Sequence, residues 1–194
     1  MNDKVDKILE ENQNWKTKSA FMSYIRGGIR AGLWNKSPIK LSFVKERRIQ
    51  IPNPNPRGNK PTVWGGECEI CKNTFVLKDL QVDHIRDVGS SLKDISDIQQ
   101  FVEDIAIVVK DELRMVCKGC HSIISHSQRT GLPFGMAKLE KEVINISKDD
   151  DKVVDKLQSF MLQSYDIPKT KKGRKELLSK LMYGQYEQEK QDGK

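Results

Sequence analysis

The chain has 194 residues, 37% hydrophobic and 31% charged, enough for one good core or for a small core with extensions. No apolar run approaches the length of a bilayer span and the N-terminus carries no signal-peptide hydrophobic stretch, so no membrane partner is expected and a reducing cytoplasm is the expected compartment. The formal net charge of +7 is uneven: residues 1–60 carry 13 Lys/Arg against 5 Asp/Glu, residues 61–130 carry 8 against 11, and residues 131–194 carry 13 against 11.

Ala20, Phe21, Tyr24, Ile25, Ile29 and Leu33 recur at spacings of three and four, which predicts a helix over 16–34 with a kink at Gly27-Gly28. Ser37-Pro38 reads as an N-cap followed by proline at the first helical position, opening a second helix to about Arg48. The segment Ile51 to Gly58, with three prolines, reads as a stiff linker. Thr62–Glu67 is expected as a short strand or turn, and Thr74–Val76 with Leu80–Val82 as a hairpin around Lys78-Asp79. A helix is predicted over Asp94–Ile107, a strand over Leu113–Val116, and a helix starting near Cys120-His121. Helical periodicity returns in Met136–Ile146, Asp150–Tyr165 and Gly173–Tyr183, and Gln185–Lys194 is too polar to order itself. The expected organisation is a basic helical region and linker (1–60), a metal-clamped core (61–130) and a helical, partly flexible tail (131–194).

All four cysteines fall in two Cys-x-x-Cys pairs, Cys68/Cys71 and Cys117/Cys120. Each pair forms a tight turn that aims two thiolates at one point, and two turns complete a four-thiolate tetrahedron for structural zinc. Gly119 occupies a knuckle position where a small residue helps the backbone fold back. The competing reading, redox-active thiols, needs a thioredoxin-like βαβ context that is absent. Between the pairs lies Asp83-His84, and His121 follows the last cysteine. As neighbours on a strand, Asp83 and His84 should point to opposite faces, so a twist or turn is expected at Ile85-Arg86.

Cys68-x-x-Cys71, Val82-Asp83-His84-Ile85 and Leu113-Arg114-Met115-Val116-Cys117-x-x-Cys120-His121 together resemble the HNH, or ββα-metal, endonuclease family, specifically its small zinc-clamped bacteriophage members. The resemblance covers roughly residues 20–130, including Val88-Gly89 and the basic Phe21–Arg48 region. It implies an α+β fold: a small ββα-metal core stapled by the four-cysteine zinc site and flanked by N- and C-terminal helices. It implies that His84 is the general base, that Asp83 and His121 hold a catalytic divalent ion (Mg2+, Mn2+ or another), and that the product is hydrolysed DNA. The family's asparagine, which pins the loop beside the base, is here Glu112, which accepts backbone N–H groups but donates none.

Arg26, Arg30, Lys40, Lys45, Arg47 and Arg48 are the candidate phosphate contacts for DNA. Alternatively, their helices cap the core through Phe21, Ile25, Ile29 and Leu41. His126 reads either as an extra ligand or phosphate contact, or as a solvated side chain. Two other functional classes compete with the nuclease: a zinc-stabilised nucleic-acid-binding module with a weakened site, and an interaction protein whose C-terminal helices recruit phage packaging or recombination proteins.

Overall fold

The computed structural model describes residues 2–12, 15–55, 60–88, 92–163 and 166–192. The expected Pro56–Gly58 part of the linker, Gly89, Tyr165 and the last two residues of the tail lie outside them. The chain divides into two compact units, 1–121 and 122–194. The described residues form eight α-helices and two small antiparallel sheets, an α+β fold.

In the first unit, α1 (Asn2–Glu11) precedes α2 (Lys18–Ile29), whose Thr17 cap accepts the Ala20 N–H at 3.1 Å. Helical hydrogen bonding runs through Gly27-Gly28, where the sequence predicts a kink, and widens only at Arg30–Trp34. This is a π-helical turn in which the Asn35 N–H reaches the Arg30 carbonyl at 2.9 Å. The turn buries Trp34, an apolar residue the 3.6-residue period does not select. Ser37 and Pro38 open α3 (Pro38–Arg47) as expected, with the Ser37 hydroxyl 3.4 Å from the Lys40 N–H.

Strands β1 (Ile49–Pro52), β2 (Thr62–Glu67) and β3 (Thr74–Val76) form one sheet in that order. The expected linker therefore begins with two residues of strand: Pro52 is tolerated because it ends an edge strand, where no ladder donor is missed. The expected hairpin of Thr74–Val76 with Leu80–Val82 does not form. A 3-10 turn at Leu77–Asp79 redirects the chain, so β3 pairs with β2 while β4 (Leu80–His84) pairs with β5 (Leu113–Cys117) in a separate sheet. Between β4 and β5 lies α4 (Ile98–Ala106), entered through a turn in which Asp97 accepts the Lys93 and Asp94 N–H groups.

Helices and strands share one core. Met22, Trp34 and Phe43 from the N-terminal helices pack with Val82, Leu92, Phe101, Ile105, Leu113 and Met115. Full burial of each large apolar side chain contributes about 1.5–3 kcal/mol, so the basic N-terminal segment is bound into the first unit by its own apolar face.

Helix α5 (Lys118–Thr130) follows β5 directly and crosses into the second unit, where α6 (Phe134–Ile146), α7 (Asp150–Gln158) and α8 (Lys171–Asp192) follow. Val143, Val153, Leu157, Leu178 and Met182 form that unit's core. Two expectations are corrected. Helix α7 ends at Gln158, well before Tyr165, and Met161 in the turn that follows has φ 61°. The polar stretch after Gln185 continues α8 to Asp192, carried by the buried Leu178 and Met182 of the same helix and by a Gln185–Glu189 hydrogen bond at 2.8 Å. Among the described residues, no helix is long and apolar enough to cross a membrane.

Candidate metal centre and adjoining Asp-His pair

Cys68 follows β2 and Cys71 closes the next turn, while Cys117 ends β5 and Cys120 lies in the first turn of α5. The four Sγ atoms lie within 4.8 Å of one another. Thiolates bound at about 2.3 Å in a tetrahedron stand about 3.8 Å apart, so the cluster needs only a small contraction to hold a metal such as zinc. Backbone N–H groups already point at sulfur: Cys117 N–H to Cys68 Sγ at 3.3 Å and Cys120 N–H to Cys117 Sγ at 3.4 Å.

The protonation chemistry also suits a cation. Burial raises the Cys68 thiol, but backbone donors at Cys71, Cys117 and Ile70 outweigh it and bring the group down to about 7. Cys120 is pushed far up, by burial and then by the Cys117 and Cys68 sulfurs. Four thiolates this close resist ionising together, and a dication removes that resistance.

The first knuckle turn rests on Lys72, a non-glycine residue at φ 61° whose N–H donates to the Cys68 carbonyl at 2.8 Å. Gly119 is not required in the second turn, because a Cβ there would meet only Cys117 Sγ at 3.8 Å. Glu69 fastens the first turn to β5: its N–H donates to the Met115 carbonyl at 2.9 Å, and its carboxylate accepts the Met115 N–H at 2.8 Å.

The ladder of β4 on β5 pairs Asp83 with Arg114 and His84 with Leu113. Asp83 and His84 do turn to opposite sides, as alternation requires, and the chain bends at Ile85-Arg86. Arg114 donates from Nε and Nη2 to the same oxygen, Asp83 Oδ2, at 2.9 and 2.8 Å. The other oxygen, Oδ1, lies 3.6 Å from His121 Nε2 on α5. Two donors about 2.1 Å from one ion stand about 3.0 Å apart at a right angle and about 3.4 Å apart at the tetrahedral angle. The Asp83–His121 pair thus fits two corners of a divalent site.

His84 is 8% exposed, with its ring 4.2 Å from that of Trp34. Its Nε2 has no hydrogen-bond partner, so the bond it makes to the Ile105 backbone comes from Nδ1, and Nε2 carries the free lone pair. Burial lowers the imidazole's affinity for a proton, against opposing contributions from Asp83 and the Ile105 bond. Lys40 lies on Trp34 as well, 4.9 Å from the ring centroid. Glu112 reaches the loop next to His84 through its backbone, while its side chain closes its own turn. Its carboxylate accepts the Val109 N–H at 3.0 Å, and its carbonyl accepts the Ile85 N–H at 2.8 Å.

The basic candidates separate. Arg26 is half-buried and donates to the Leu92 carbonyl at 2.7 Å, and Lys40 is half-buried against Trp34. Arg30 lies 5.9 Å from the Phe101 centroid, and burial, with Arg26 beside it, holds it below the ordinary arginine range while Asp87 and Asp83 act in the other direction. Lys45 and Arg47 are exposed, Arg47 facing Glu69 at 3.7 Å, and Arg48 stacks over Trp64 at 4.1 Å. His126 is neither solvated nor an open ligand. It is 6% exposed in the second unit, its Nε2 2.7 Å from Glu140 and its Nδ1 2.8 Å from Arg129.

Arg114, Glu69 and Trp34 are the functional neighbours the sequence reading misses. The first becomes visible only when β4 and β5 are set in register, and the last only when the π-turn is known. Searches against protein-family models, curated proteins and solved structures find no match to this chain.

Proposed function

We propose that this protein is a metal-dependent endonuclease of the HNH type, acting on DNA, with a structural zinc in the four-cysteine cluster. The observation that carries the reading is the 3.6 Å approach of Asp83 Oδ1 to His121 Nε2 on a β4–β5–α5 unit, with the free lone pair of His84 Nε2 on the adjoining residue. Asp83 and His121 would hold the divalent ion, which when bound supplies Lewis-acid neutralisation of charge on the phosphate. With Trp34 moved aside and the strand end turned at Ile85-Arg86 so that the ring reaches the seat, His84 Nε2 would take a proton from water, the water oxygen would form a bond to phosphorus, and the P–O3′ bond would break, O3′ leaving with the bonding pair and taking a proton from solvent. The Ile105 backbone keeps Nδ1 protonated through that step, and the Glu112 backbone carbonyl holds the Ile85 N–H beside it. Arg30, Lys45, Arg47 and Arg48 supply the cationic surface for the phosphate backbone, with Arg26 and Lys40 supporting the helices that carry them.

The test is supercoiled plasmid with Mg2+ or Mn2+, wild type beside His84→Ala. Nicking by the wild type that falls at least a hundredfold in the variant is expected, because general-base catalysis contributes about 10^2–10^4-fold. Equal cleavage by the two proteins rules the reading out.

One observation favours a second reading. His84 Nε2 is buried beneath Trp34, so water reaches it only when that cover opens. A zinc-stabilised DNA-binding module whose site stays closed would bind DNA with a steep salt dependence and would not cleave it under any metal.

A further inference from the structure

Resting on that reading of the Asp83–His121 pair as a divalent-cation seat, we propose that Arg114 is a resident counter-ion which keeps the seat weak for metal alone and makes metal and phosphate bind together. Arg114 acts on Asp83 in the empty seat and on the phosphate once DNA is bound.

Three observations on the first unit carry this. Asp83 is the only carboxylate among the described residues paired with His121, and Arg114 already engages it through two charge-assisted bonds to Oδ2. The pair is shielded, with Arg114 side-chain exposure at 17% and Asp83 at 14%, so the neutralisation is weakly screened. Arg30 adds a second guanidinium whose charge is felt at Asp83. An arriving divalent ion therefore meets one carboxylate whose charge is already engaged, one imidazole and two nearby guanidinium groups. Two protein ligands with that balance bind a hard cation poorly.

A phosphodiester changes the balance. Its anionic oxygens can accept from Arg114 and Arg30 and also complete the coordination of the ion. Metal raises the affinity for phosphate, and by linkage phosphate raises the affinity for metal by the same factor. The same arrangement fixes which carboxylate oxygen faces the ion, because Oδ2 is held and Oδ1 is left toward His121.

The experiment measures Mn2+ binding to the zinc-loaded full-length chain by the electron paramagnetic resonance signal of free Mn2+, with and without a short DNA duplex. The proteins are wild type, Arg114→Gln, Arg114→Lys and Asp83→Asn, each checked for retained zinc and circular dichroism. Without DNA, Arg114→Gln is expected to bind Mn2+ about tenfold more tightly than wild type, since a unit charge a few ångströms away is removed. Arg114→Lys keeps the charge and should stay weak. DNA should tighten Mn2+ binding to wild type and do so less for Arg114→Gln. Mn2+ affinity that is unchanged or weaker in Arg114→Gln, while Asp83→Asn abolishes binding, overturns the counter-ion role and leaves the seat standing. Mn2+ binding that does not depend on Asp83 overturns the seat itself, and this inference with it.

Discussion

Gly65 lies in β2, the central strand of its sheet, and a Cβ there would stand 2.5 Å from the Phe75 carbonyl oxygen. Backbone cannot yield as a flexible side chain does, so Gly65→Ala should destabilise the protein by about 1–3 kcal/mol, the usual cost of overpacking. Urea unfolding checks this, and an unchanged midpoint would mean that the sheet relaxes freely. Because Cys68 lies three residues after Gly65 and directly follows the strand, the same variant is expected to retain less zinc after dialysis. At this scale the sequence is informative where chemistry is concentrated in the residue itself. Cysteine pairs, Asp83, His84 and His121 stand out because few other residue types offer the same ligands at neutral pH. Arg114 does not stand out among the chain's arginines, because its role comes from the residue opposite it on another strand. Glu69 is hidden for the same reason, its partner being the backbone of Met115.

At the scale of elements, local signals are legible when the information is local. The Ser37-Pro38 cap opens α3 where expected, and apolar spacing gives α2, α4, α6 and α8. The division of β3 and β4 between two sheets is not local, since a three-residue 3-10 turn and a hairpin turn have similar sequences and only the partners β2 and β5 decide between them. Helices α7 and α8 are joined by another non-local pair. Arg174 donates to both oxygens of Asp150, at 3.0 and 2.5 Å, and also to the Pro168 and Lys169 carbonyls. The Arg174 hydrogen bond is the main reason the Asp150 carboxyl lies below its ordinary value of 3.8, with burial opposing it. A carboxyl depressed in the folded state contributes stability that is present above the unfolded value and is lost as pH falls through the folded one. The second unit should therefore lose stability on acidification below about pH 4. Arg174→Met should flatten that loss, leaving the part due to Asp149, which Lys152 also depresses. Thermal melts followed by circular dichroism across that range check the sign; a slope unchanged by Arg174→Met would place the acid sensitivity elsewhere.

For the whole molecule, the decisive feature is that, among the described residues, each unit has its own core and the cysteine cluster that could hold a metal lies with the first. The cysteines connect the end of β2 to the end of β5, which are distant in sequence and lie in different sheets, so a bound metal closes a long loop through the first unit. The core of the second unit, built on Val143, Val153, Leu157, Leu178 and Met182, includes none of the cysteines. Removing the metal should accordingly unfold the first unit and spare the second. The three tryptophans make this measurable, because Trp15, Trp34 and Trp64 all lie in the first unit. A strong chelator with a reductant is expected to shift tryptophan emission to the red, while the helical signal of α6, α7 and α8 persists and melts later in its own transition. Restoring zinc should return the emission, as binding free energy is folding free energy for such a site. Emission that ignores the chelator would mean that the cysteine cluster contributes no metal-dependent stability. Coincident loss of emission and of all helical signal would mean that the two cores fold as one cooperative unit, so that metal at the cysteines governs the entire chain.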